Sequence, residues 1–475
     1  MAALCRKRNT TVEKCFKAGD LTLDGFVERQ ADKCLHNRQI RSLEDPEDFY
    51  RRVRHFASEK AGGVPLDEIE QAVRTGVIAT ADHHGSIFCS QSFQGDILFH
   101  HLLKMLGYRG TVVPVLSSGQ VELENSSYSR GFCVYTSPEK KLFYPLFPAK
   151  HSLRMVSQTG LVDAEMLKRF RRRFICQMED EVTAGALDEI CRLVYEPDDV
   201  QKAVRFGDQT SLTGLKLTGH LFPENDAPAF CYLEFEELIR PLLMRELSEG
   251  TSLLSGLLFD DGLRKNAGKL RLLDGTVLTE LMFKCADEKG RKISLTLTED
   301  GFLTGMDWHG EIVSYRADPD NLLRLLEERR LIPGIFTMAA LLFFERGVTW
   351  MGGIFQAEYL PWWQEGLVRL LSGMGFGSLS EHIGRYDCSG YISGPVFILY
   401  AGEGFATPAG PVEIWIKKPD FARIREMLRG TGLWDAHLIG LSEMYFDLVP
   451  RSEREENWYR LIAEDLYRRY PDNMV

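Results

Sequence analysis

Residues 75–125 read TGVIATADHHGSIFCSQSFQGDILFHHLLKMLGYRGTVVPVLSSGQVELEN, and this stretch decides the fold. Val77, Ile78 and Ala79 form a short apolar run, after which the chain turns polar at Thr80, Asp82, His83, His84 and Gly85. A buried parallel strand that ends at a site has this pattern. Ile97, Leu98, His101, Leu102 and Met105 then keep helical spacing, Gly107 stands where a helix stops, and residues 112–116 resume as a second apolar strand. The unit is βαβ-like. In open sheets of this kind ligands bind beyond the carboxyl ends of the strands, which predicts a site where residues 80–85 meet residues 117–124.

Working outward, a chain of 475 residues with 44% hydrophobic content can bury large cores. At roughly 100–200 residues per domain it predicts two or three globular units. The net charge of −11 lacks the basic footprint of a nucleic-acid protein. The longest apolar run, 332–344, is too short to span a bilayer and ends at Glu345 and Arg346. The opening MAALCRKRNTT has no apolar core of an export signal. Ten cysteines without CxxC spacing predict neither a zinc knuckle nor a disulfide framework. Together these features predict a cytoplasmic protein that binds a small-molecule substrate, with no nucleic-acid or membrane partner.

Residues 1–75 predict a charged helical segment, with Asp45 and Pro46 placed to start a helix. Residues 76–205 predict the first part of an α/β core with a doubly wound, mainly parallel sheet. The stretch 206–316 changes to hairpin-like runs, with Asp300 and Gly301 as a turn, and predicts an inserted α+β subdomain. Residues 317–475 return to the core, with a helix after Asp318 and Pro319, a strand at 348–351 ending in Gly352 and Gly353, a strand at 396–400 and a strand and helix in GPVEIWIKKPDFARIREMLRG. His100 and His101 read as helix packing residues, Cys89 as a small buried hydrophobe, and residues 168–173 as a solvated helix face.

Two stretches, 80–124 and 321–359, resemble the bacillithiol cysteine-adding enzymes. That family ends a strand in a Thr-Gly-Gln-Gln-x-Gly loop, where this chain has Thr80, Ala81, Asp82, His83, His84 and Gly85. Its Val-Pro-Val strand is similar to Val113, Pro114 and Val115, and its later acids and asparagine to Glu122, Glu124 and Asn125. Leu323, Arg324 and Pro333 are similar to its Leu-Arg-Pro and Leu-Pro elements, and Gly352, Gly353, Glu358 and Tyr359 to its second glycine loop. The paired glutamines are replaced by Asp82 and His83, and the acid-His-acid element by Ser118, Gly119 and Gln120.

The resemblance implies a Rossmann-like core and a ligase or transferase of small-molecule biosynthesis, joining an amine- or thiol-bearing metabolite, with ATP as the cofactor to test. His83 and His84 would face Glu122 and Glu124, the carboxylate orienting an imidazole base. Thr80, Asp82, Gly85, Ser117, Ser118, Asn125, Gly352, Gly353, Glu358 and Tyr359 would line the substrate site, and Arg324 would hold a carboxylate or phosphate. No metal site follows from the spacing. Asp82, His83 and His84 after an apolar strand also look like the metal-binding element of the DHH phosphoesterases. A non-catalytic binding protein on the same fold is the remaining alternative.

Overall fold

The computed structural model describes residues 10–17, 19–80, 83, 85, 87–124, 129–137, 140–272, 275–443, 451–454 and 456–475. Its centre is a five-stranded sheet built from β1 (Val77–Ala79), β2 (Val112–Ser117), β5 (Ala229–Glu234), β11 (Thr349–Gly353) and β12 (Tyr391–Ser393), in the order β12-β11-β1-β2-β5. Every pairing in it is parallel. The two strands predicted from residues 75–125 therefore share one sheet, with Ala79 opposite Val115 and helix Ser90–Met105 as the crossover.

Alternate residues along the strands enter opposite cores, which is why the strands read as unbroken apolar runs. Val77, Ala79, Val113, Val115, Phe230, Tyr232 and Met351 pack on one face. Ile78, Val112, Leu116, Cys231, Leu233 and Trp350 pack on the other. The fold is mixed α/β with a sheet covered on both sides.

A second sheet is antiparallel. It contains β6 (Phe283–Ala286), β7 (Lys292–Leu297), β8 (Phe302–Met306), β9 (Ile312–Arg316) and the short β10 (Ile332–Pro333), in the order β10-β6-β7-β8-β9. The turn at Asp300 and Gly301 joins β7 to β8 as the sequence predicts, with Gly301 at φ 82. Two hairpins complete the strands: β3 (Gly131–Ser137) with β4 (Lys140–Pro145), and β13 (Leu399–Ala401) with β14 (Ala406–Pro408).

Two readings of the sequence need correction. The stretch 206–316 is not all outside the parallel sheet, because β5 is its outermost strand and helix Phe206–Leu221 packs on it, with Gly214 close to the Tyr232 ring. The antiparallel sheet draws on residues 283–316 and 332–333. The alternation in GPVEIWIK is also no strand. Pro411–Lys417 is a helix, because Pro411 suits its first turn and Glu413 reaches back to accept from the Gly410 N–H at 2.9 Å.

In the segment before the central sheet, helices Thr10–Lys17, Leu23–Arg38, Glu47–Lys60 and Leu66–Val73 match the expected helical character, and Asp45 accepts from the Glu47 N–H at 3.0 Å. The apolar run 332–344 becomes β10, helix Ile335–Ala339 and a π turn at Ala340–Phe344 inside the core. Among the described residues no helix is long and apolar enough to cross a membrane.

Gly334 lets the chain after β10 pack closely on the turn before β6. A Cβ there would lie 2.1 Å from the Leu281 carbonyl oxygen, a backbone atom that cannot rotate away. Gly334→Ala is expected to cost about 1–3 kcal/mol by overpacking. An unchanged urea midpoint in this variant would show that the contact is not rigid.

Candidate functional site

The chain leaves β1 toward β2 and β5 on one side, and later places β11 and β12 on the other. The direction of winding reverses between β1 and β11, and a crevice opens beyond the carboxyl ends of strands at such a point. A cavity of about 360 Å³ lies there, lined by Thr80 and His83 after β1, Ser118 and Gln120 after β2, and Gly353 at the end of β11. Gln356 and Tyr359, from the first turn of helix Gln356–Gly373, form one wall. Lys284, Lys292 and Ser294 from β6 and β7 form another.

The lysines reach the cavity through strand alternation. Phe283 and Cys285 of β6, and Ile293 and Leu295 of β7, point into the core, so Lys284, Ser294 and Lys292 share the opposite face. Lys284 Nζ donates to the Glu280 carbonyl at 3.0 Å and to Ser294 Oγ at 3.1 Å. Burial, and next the neighbouring Lys292 charge, push the Lys284 ammonium down to about 8. Lys292 is paired with Glu122 at 3.0 Å.

His83 continues the sheet by a parallel bridge to Ser118. Burial, with the Lys292 charge as the smaller cause, pushes its imidazole down to about 4, so the ring is neutral at pH 7. Gln356 is 3% exposed. Its Oε1 accepts from Thr80 Oγ1 at 2.7 Å and from the Tyr359 hydroxyl at 3.4 Å, while Nε2 has no hydrogen-bond partner among the described residues. Gly352 makes room for this amide: a Cβ there would lie 2.1 Å from Gln356 Oε1. Gly85 has φ +92, and a Cβ would lie 2.6 Å from the Phe206 ring, so the loop after β1 closes only with glycine.

The site residues expected from sequence thus divide. Thr80, His83, Ser118, Gly353 and Tyr359 come together at the cavity. Glu122 ends on Lys292, and Glu124 is ion-paired with Arg130. Ser117 is fully buried within β2. Glu358 is buried and accepts from the N–H and hydroxyl of Thr11, both at 2.6 Å, which ties helix Thr10–Lys17 to the core. Arg324 lies elsewhere: Leu322, Leu325 and Leu326 take the inner face of helix Pro319–Glu327, leaving Arg324 outside, paired with Glu328 at 3.0 Å. Asp82, His84 and Asn125 lie outside the described residues.

Ser118, Gly119 and Gln120 have a structural task. Glu236 Oε1 accepts from Ser118 Oγ at 2.8 Å and from the Gln120 N–H and side-chain amide, both at 3.2 Å. Its Oε2 accepts from the Gly119 N–H at 2.8 Å. Next to it, burial pushes the Glu234 carboxyl up to about 8 even though Arg205 donates to it at 2.8 Å.

Lys284, Lys292 and Gln356 carry no local signature of a site. Alternation places both lysines on the face opposite the core, a position that the solvated side of any hairpin shares. Among the described residues no group of three or more His, Cys, Asp or Glu side chains has a metal-holding arrangement. Comparison with protein families, characterised proteins and solved structures finds no match to this chain.

Proposed function

We propose that the chain is a small-metabolite enzyme that joins or transfers an amine- or thiol-bearing molecule in the cleft between the ends of β1 and β11, its co-substrate an anion held by Lys292. One observation carries this reading: two lysines on the antiparallel sheet face the loops after β1, β2 and β11 across a single cavity. A carboxylate or phosphate would pair with the Lys292 ammonium, and the Gln356 amide would donate a further hydrogen bond from Nε2. Lys284, neutral in part at pH 7, is the group suited to take the proton of an incoming amine or thiol. His83, neutral throughout this range, would orient a substrate group by hydrogen bonding. The reading agrees with the expected resemblance to cysteine-adding ligases in chemistry, while moving the base from the histidine loop to the roof of the cleft.

Thermal-shift screening with mono- and dicarboxylates, phosphate and nucleoside phosphates would identify the anion. Lys292→Met keeps the aliphatic stem and removes the charge, and is expected to weaken that anion about 10- to 100-fold, the worth of a charged hydrogen bond. Equal affinity in wild type and variant would remove the anion from the cleft. No shift from any anion would remove the proposal's central premise.

A further inference from the structure

We infer a second ligand site in the cleft between helices Ser90–Met105 and Phe421–Gly430, shaped for a small amphipathic acid: one apolar ring or short chain carrying a carboxylate and a hydroxyl. Ile97, His100, His101 and Lys104 share one face of the first helix. Phe421, Arg425, Leu428 and Arg429 share the facing side of the second. Protein interiors are close-packed, yet about 270 Å³ stays open between these two faces. That volume is just below the range that takes drug-sized ligands.

The gap persists because the long side chains around it are drawn aside. Lys104 Nζ donates to the Arg109 and Gly110 carbonyls at 3.1 and 2.7 Å. Arg425 pairs with Asp226 at 2.8 Å and lies over the Phe421 ring. The floor that remains is apolar, with Ile97, Phe421 and Leu428 each 2% exposed.

The rim and one buried atom then define the occupant. Lys104, Arg425 and Arg429 set three cations against the single carboxylate of Asp226. Arg429 has no carboxylate partner among the described residues, so the rim favours an anionic head group. His100 is 4% exposed, and its Nε2 has no hydrogen-bond partner among the described residues. A buried polar atom left in that state is costly and is normally satisfied. Burial, the largest cause, pushes the His100 ring down to about 3, so it is neutral. A ligand hydroxyl, which both donates and accepts, can meet Nε2 in either tautomer of the ring. An apolar body lying on Phe421 and Leu428, a hydroxyl on His100 and an acid at the arginine rim satisfy all three features.

The test is isothermal titration calorimetry of the full chain with three probes: 3-(4-hydroxyphenyl)propionate, 3-phenylpropionate and 3-(4-hydroxyphenyl)propanol. The hydroxy acid is expected to bind with a dissociation constant below about 1 mM, the phenyl acid about 3- to 10-fold more weakly, and the alcohol about 10-fold or more weakly. Arg429→Gln, on an exposed position, is expected to reduce the preference for acid over alcohol. His100→Phe is expected to abolish the preference for the hydroxyl while the phenyl acid still binds. Failure of both acids to bind at 1 mM would overturn the inference. So would binding of the hydroxy acid that is indifferent to both substitutions, since it would place the ligand elsewhere. Lys292→Met, which tests the strand-end cleft, is expected to leave these affinities unchanged, so either site can fail alone.

Discussion

Lys284→Met is expected to melt higher than wild type at pH 7 while turning substrate over about 100- to 10,000-fold more slowly, the range for losing a general base. The opposite signs follow from one property. Burial and the Lys292 charge hold the ammonium at about 8, against 10.5 for an unperturbed lysine. Between those two values the unfolded chain binds more protons than the folded one, so stability rises with pH through that window. Below pH 8 the full cost of confining the charge is present, and above 10.5 it has gone. Methionine fills the same space without the charge, so the gain in melting temperature should be largest at and below pH 8 and should fade toward 10.5. Turnover of the wild type should rise with pH to a plateau above about 8. Lys292→Met, by removing the second cation, should move that limb to higher pH. Circular dichroism melts and a pH–rate series with the anion from the ligand screen read all of this. A variant that melts lower and turns over normally would make Lys284 a packing residue.

Arg346→Met is expected to cost about 3–5 kcal/mol, the scale for removing one partner from a buried ion group. Arg346 is 1% exposed. Its guanidinium grips Asp48 through Nε at 3.1 Å and Nη2 at 3.0 Å, also donates to Glu246, and gives Nη1 to the Leu341 carbonyl at 2.9 Å. One side chain thus joins helix Glu47–Lys60, helix Phe235–Glu249 and the turn before β11. Burial alone would raise the Asp48 carboxyl, but Arg346 and Arg245 overcome it and hold it below the usual range. That stability is present above the carboxylate's ordinary pKa and is lost as pH falls through the lowered value, so Arg346→Met should flatten the acid limb of a stability–pH curve. Arg346→Lys keeps the charge without the planar fork and should fall between the two. Urea unfolding within 1 kcal/mol of wild type for Arg346→Met would show that the group is not a net stabiliser.

Much of the central sheet was legible because buried parallel strands have a one-dimensional signature. Val77, Ile78 and Ala79, residues 112–116 and residues 348–351 are apolar runs that stop at polar or glycine loops, and three of the sheet's five strands lie on them. The strand Ala229–Glu234 has the same signature, AFCYLE, but sits among hairpin-like and helical runs that mask its membership. At the site, the loop after β1 and the glycines of β11 could be found, since both follow a strand. The roof could not, because Lys284 and Lys292 look locally like the solvated face of any hairpin. Only the docking of the second sheet over the strand ends turns that face inward. Arg324 failed in the other direction: residue type and place matched a site, while packing assigned it to an outer helix face.

The pairing of β1 with β11 has a consequence for the order in which the molecule assembles. Val77 lies opposite Thr349, so the strand at the centre of the sheet waits for a neighbour synthesised about 270 residues later. At about 5–20 residues per second on the ribosome, one edge of β1 stays uncovered for tens of seconds, with β2 and β5 already able to pair on the other side. A nascent chain stopped before residue 349 would thus carry a half-built sheet with an open edge, the kind of surface that recruits other strands.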